Sequence, residues 1–142
     1  MTNSAPVNYW DSSAILSALF SDTHSNTAKK WADETGLHFI STLTYTEVSA
    51  VIARMKREHV LVETLVNAAF EVLNQGPWRR IYTWPEWEIV RALSTKWPLR
   101  GADLWHLATA ITLRKEFPEL TFLTFDNRLK NAAAGETLCK LK

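Results

Sequence analysis

Strand-like and helix-like runs alternate along this chain, and no other feature constrains its fold as much. Residues 7–10 form a short strand-like run. Asp11 and the two serines after it open a helix whose apolar face is Ala14, Ile15, Ala18 and Leu19. A second helix is expected over about 26–34, closed by Gly36. Residues 38–41 read as a second strand. Thr44 then opens a third helix with Val48, Val51, Ile52 and Met55 on one side. A fourth helix spans about 60–74 and stops at Gln75, Gly76 and Pro77. Residues 80–83 read as a third strand, and Pro85 suits the first position of a helix carrying Ile89, Val90 and Leu93. Another helix starts near Asp103 and ends before Pro118. Residues 121–125 are the clearest strand, 126–133 a short helix, and 138–141 a possible fifth strand.

Strands separated by helices predict a parallel sheet covered on both faces, with right-handed crossovers. The expected class is α/β: a three-layer α/β/α sandwich around a mostly parallel sheet of four to five strands. Ligands of such open sheets bind beyond the carboxyl ends of the strands. That rule gives four acids one address. Asp11 follows the first strand, Glu47 closely follows the second and Asp126 follows the fourth. Asp103 opens a helix that feeds the fourth strand, in the stretch P-L-R-G-A-D-L-W-H-L-A-T-A-I.

Each acid also has a local explanation. Asp11 and Asp126 stand where helix N-caps stand, Thr44 to Glu47 matches a capping box, and Asp103 sits at the positive end of a helix dipole. Together they are harder to explain as caps, which need no common edge. Two carboxylates ~5 Å apart repel by roughly 3 kcal/mol at an effective dielectric of 20, whereas a cap contributes about 1 kcal/mol. A divalent cation reverses that balance.

Composition removes other classes. The chain has 142 residues, fits one domain over 1–142, and is 46% hydrophobic, so disorder is not expected. A net charge of +1 neither argues for nor excludes nucleic acid. A single cysteine, Cys139, allows no intrachain disulfide and no cysteine-based zinc site. No basic region followed by an apolar run opens the chain, and no apolar stretch is long enough to cross a membrane, so a cytoplasmic location is expected.

The ordered set of motifs resembles PIN domains, and among them VapC-type toxins of toxin–antitoxin pairs. Asp11-x-Ser13, Glu47, R-G-A-D-L-W-H-L-A around Asp103 and T-F-D-N-R-L around Asp126 carry the resemblance, which spans the chain from Val7 onward. It implies a Mg²⁺- or Mn²⁺-dependent endoribonuclease, usually a homodimer, held in check by a cognate antitoxin. The acidic quartet carried over is Asp11, Glu47, Asp103 and Asp126.

The chemistry fits those residues on its own terms. Mg²⁺ takes oxygen ligands and keeps several waters, so one or two direct carboxylates suffice. Asp11 and Asp103 are the expected principal ligands, then Asp126. Glu47 would ligate through water or orient an attacking water. Ser13 and Thr124 either donate to the carboxylates or satisfy local backbone. Arg54, Arg100 and Arg128 are expected either to meet RNA phosphate or to pair with acids and solvent. His106 is read as a packed, hydrogen-bonded histidine ahead of a general acid. Trp84, Trp87 and Trp97 are read as core or interface residues ahead of base-stacking ones. The seven tryptophans and two consecutive amphipathic helices, about 44–58 and 60–74, predict a homodimer that buries part of that hairpin. Two other functions stay open: a phosphatase using Asp11 as nucleophile, and a non-catalytic RNA- or protein-binding module.

Overall fold

The computed structural model describes residues 5–139. Four parallel strands form the sheet: β1 (Val7–Trp10), β2 (Leu37–Ser41), β3 (Trp78–Ile81) and β4 (Thr121–Leu123), in the order β3-β2-β1-β4. The helices are α1 (Ser12–Leu19), α2 (Ser25–Asp33), α3 (Thr42–Arg57), α4 (Glu63–Gln75), α5 (Trp87–Lys96), α6 (Gly101–Arg114) and α7 (Asn127–Gly135).

The sheet order explains the two cores. Strands β1 to β3 step in one direction, so right-handed crossovers stack α1 to α4 on one face. The chain then returns across the sheet to β4 and puts α5 to α7 on the other. Alternation within each strand matches this split. Trp10, Ile40, Trp78 and Leu123 pack with Ala14, Ile15, Val48, Ile52, Val66 and Leu73. Tyr9, Phe39 and Phe122 pack with Leu93, Leu107, Leu113 and Leu129. The result is the expected three-layer sandwich with four strands.

Several boundaries differ from expectation, each for a tertiary reason. The third helix begins at Thr42, because Ser41 caps it directly from the end of β2, with Oγ accepting from Thr44 N at 3.2 Å. Thr44 therefore lies inside the helix, and Thr44 to Glu47 is not a capping box. Strand β3 starts two residues early, because Trp78 is buried against Trp10, their ring centroids 5.4 Å apart. Pro85 precedes the helix cap instead of occupying its first turn. Thr112 Oγ1 takes the Glu86 amide at 3.1 Å and sets where α5 begins. Leu138 and Cys139 form no strand; a single backbone bond, Phe122 N to Leu138 O at 2.9 Å, runs beside β4. Residues 140 and 141 of that expected strand lie outside the described residues. Among the described residues, no helix is long and apolar enough to cross a membrane.

Candidate active site

Chain order reverses between β1 and β4, and a crevice opens at such a switch point beyond the strand ends. Asp11 sits there. Its amide extends the β1–β4 pairing by donating to Leu123 O at 3.1 Å. Its carboxylate caps α1 through Ala14 N at 2.9 Å. Ser13 Oγ donates to Oδ1 at 2.7 Å and Thr124 Oγ1 to Oδ2 at 2.5 Å. Both hydroxyls are used twice, because Ser13 Oγ accepts from Phe125 N and Thr124 Oγ1 from Asp126 N. The two roles considered for Ser13 and Thr124 thus coexist. Backbone amides after β4 turn to these hydroxyls and not to a neighbouring strand, which ends β4 at Leu123. Asp11 is only 3% exposed. Burial pushes its carboxyl above the usual range, and the Thr124, Ala14 and Ser13 donors offset part of that rise.

Asp103 and Asp126 line a cavity of about 330 Å³ with Leu99, Arg100 and Arg128. Asp126 caps α7 through Leu129 N at 2.9 Å and is otherwise exposed. Helix α6 has no side-chain cap, so Asp103 stands in its first turn without that duty. Burial raises the Asp103 carboxyl, and the charges of Asp126 and Glu47 raise it further, with Arg100 opposing them. Arg54 is not among the cavity's lining residues. It is exposed, with Nε 3.9 Å from Glu58 across one helical turn.

Glu47 has a partner that its sequence neighbourhood does not reveal. Its Oε1 lies 2.6 Å from His106 Nε2. His106 is buried, and its Nδ1 lies 2.7 Å from Tyr9 Oη. Tyr9 Oη in turn lies 2.8 Å from Ser41 Oγ. Tyr9 and Ser41 were not expected at the site. The available signal was a hydroxyl on an otherwise core-facing position of each of two adjacent strands.

Asp103 thus feels the charges of Asp126 and Glu47, while Asp11 is held by its own donors, and the four are not a finished metal cage. Among the described residues, no three His, Cys, Asp or Glu side chains converge at ligand spacing. The donor chemistry nevertheless fits a hard divalent cation. It is all oxygen, it carries an excess of negative charge, and a hydrated Mg²⁺ needs only one or two direct carboxylates. Asp103 is the acid whose ionised form most lacks compensation, since Asp11 already receives three donors.

The aromatic residues divide. Trp97 is half-buried against the α5–α7 core, and its Nε1–H donates to Glu136 at 2.9 Å. Trp84 and Trp87 are 72% and 89% exposed, so they do not fill the core. With Pro85, Val90, Arg91 and Trp105 they line an open apolar hollow of about 660 Å³.

The PIN domain family model matches residues 9–135, which includes all four acids. The chain belongs to the PIN-domain family. This PIN domain is 30% identical over 135 residues to ribonuclease VapC35 of Mycobacterium tuberculosis, covering 92% of both chains. The crystal structure of Mycobacterium tuberculosis VapC20, a sarcin–ricin loop cleaving toxin, is similar with a TM-score of 0.60. It is 16% identical, over 88% of this chain and 94% of that one. VapBC2 of Rickettsia felis, solved with a DNA fragment from its promoter, matches with a TM-score of 0.55 and 14% identity, over 84% of this chain and 99% of that chain. At these identities the two structures establish the shared fold of this PIN domain.

Proposed function

We propose that this PIN domain is a Mg²⁺- or Mn²⁺-dependent endoribonuclease and the toxin of a toxin–antitoxin pair. The carrying observation is Asp103: a partly buried carboxylate, free of capping duty, whose ionised form is opposed by burial and by Asp126 and Glu47. The name of VapC35, a ribonuclease similar over 92% of the chain, supports the same reading. Asp103, Asp126 and Asp11 would hold the ion, and Glu47 would act through water. The bound ion supplies charge neutralisation at the scissile phosphate and a more acidic water. The protein's own residues do the rest. Ser13 and Thr124 hold Asp11 in place, and Arg100 and Arg128 present cations to phosphate beside the Asp103 cavity.

Two apolar surfaces suit two protein partners. Leu19, Phe20, Leu61, Leu65, Ala68 and Val72 line a groove of about 350 Å³ that fits an amphipathic helix of an antitoxin. A second copy of the chain takes the aromatic face around Trp84 and Trp87, since exposed tryptophans favour protein interfaces. The α3–α4 hairpin, where the dimer contact was expected, also leaves Val60, Val62, Leu65 and Val72 exposed. The protein would act on RNA in the cytoplasm.

The phosphatase alternative is weaker, because the residue two positions after Asp11 is Ser13 and not a second acid. Single-stranded RNA incubated with the purified chain and Mn²⁺ or Mg²⁺ tests the proposal. Internal cleavage that EDTA abolishes, without release of inorganic phosphate, is expected. Intact RNA with either ion, or undiminished cleavage in EDTA, overturns it.

A further inference from the structure

We propose that His106 is a positioning residue: it ends a buried hydrogen-bond chain from Ser41 and Tyr9 and holds the Glu47 carboxylate at the site. The inference rests on the nuclease reading for its consequence, but its geometry stands apart from it.

The direction of the chain follows from donor and acceptor chemistry. An ionised carboxylate only accepts, so His106 Nε2 carries a proton and donates to Glu47 Oε1 at 2.6 Å. In a neutral ring Nδ1 then has only a lone pair. Tyr9 O–H must donate into it at 2.7 Å, which leaves Tyr9 Oη to accept from Ser41 O–H at 2.8 Å. Ser41 Oγ is itself fed by the Thr44 amide at 3.2 Å, while Thr44 Oγ1 donates to Trp10 O at 3.0 Å. Ser41 Oγ also lies 3.3 Å from Thr44 Oγ1, and its shorter contact, to Tyr9 Oη, carries the chain. The chain starts at the backbone of α3, crosses β2 and β1, and leaves through α6.

Its surroundings argue against mere packing. Tyr9 and His106 lie in the apolar layer with Leu107 and Phe122, and Tyr9 stacks on Phe122 with centroids 5.4 Å apart. Buried polar groups cost free energy unless all are satisfied, and apolar residues could fill the same space. The one member that reaches solvent is Glu47, whose side chain is 31% exposed. Tyr9, Ser41 and His106 therefore spend their polarity on fixing one partly exposed carboxylate. A carboxylate on a rigid mount keeps its place relative to Asp103, whereas a free glutamate samples several rotamers.

The test uses the metal-free chain and the nuclease assay together. Histidine-labelled protein observed by nitrogen NMR should show His106 as the Nε2–H tautomer. Tyr9→Phe, which keeps the ring packing, should shift its Nδ1 resonance, and Glu47→Gln its Nε2 resonance. In Mn²⁺, His106→Leu and Tyr9→Phe should each lower kcat by about 10- to 100-fold with KM for RNA unchanged. His106→Gln, which restores a donor towards Glu47, should recover part of the loss. An Nδ1–H tautomer, or resonances indifferent to Tyr9→Phe and Glu47→Gln, would overturn the inference. So would wild-type kcat in His106→Leu. If wild type itself cuts no RNA, the nuclease reading fails, and the NMR signature still decides whether His106 holds Glu47.

Discussion

Thr124 Oγ1 lies 2.5 Å from Asp11 Oδ2 and ties the ends of β4 and β1 together across 113 positions of sequence. The bond holds a buried carboxylate that burial would otherwise favour as the neutral acid. Thr124→Val keeps the shape and removes the donor. It should cost about 2–3 kcal/mol at neutral pH, the usual loss for a buried hydrogen bond to a charged group. Without the donor, Asp11 is raised further above its ordinary value. The deficit should therefore shrink as pH falls and the carboxyl protonates. Urea unfolding at pH 7 and pH 5 measures it; an equal deficit at both would show that Asp11 is not the group affected.

Asp103 has the same sign, with burial again the largest cause and the charges of Asp126 and Glu47 adding to it. Its folded carboxyl titrates above the ordinary value of 3.8, so the ionised form is disfavoured by folding. Its unfavourable contribution is fully present above the folded pKa and disappears as pH falls towards 3.8. Asp103→Asn should raise metal-free stability at pH 7 by about 1 kcal/mol after solvent screening, or roughly 3 °C. That gain should fade on acidification. Added Mg²⁺ should stabilise wild type more than the variant. Melting curves in EDTA and in Mg²⁺ check both, and a variant that melts lower in EDTA while responding normally to Mg²⁺ would remove Asp103 from the site.

The aromatic face makes a separate prediction. Trp84 and Trp87 contribute little to the fold of one copy, because most of each side chain is in solvent. Trp84→Ser with Trp87→Ser should change monomer stability by no more than about 0.5 kcal/mol. It should nevertheless convert a dimer to a monomer by light scattering. A double variant with an unchanged dimeric mass would place the contact elsewhere.

Gly36 tests the entry to β2. Its φ is +137°, and an added Cβ would lie 2.3 Å from the Pro6 carbonyl oxygen. That oxygen accepts from Leu37 N at 2.8 Å, at the edge of the β1–β2 pairing. Gly36→Ala should destabilise the chain by more than about 1 kcal/mol, read as a lower thermal midpoint. An unchanged midpoint would show that the turn relaxes freely.

The sequence by itself determined the α/β alternation, the caps at Asp11 and Asp126, and the placing of four acids after strand ends or at a helix start. These depend on short-range periodicity and on side chains bonding amides within three residues. It also carried the family, since the motifs around Asp11, Asp103 and Asp126 are local strings. Only the tertiary structure decided the rest. It moved the start of α3 to Thr42, because the Ser41 hydroxyl caps the helix as it leaves the sheet. It sent Glu47 to His106, 59 positions away, and brought Tyr9 and Ser41 beneath them. It left Trp84 and Trp87 outside while enclosing Trp10 and Trp78. Hydrophobicity alone cannot distinguish those tryptophans. Their burial depends on which elements the crossovers stack over them, and that is a property of the whole sheet order.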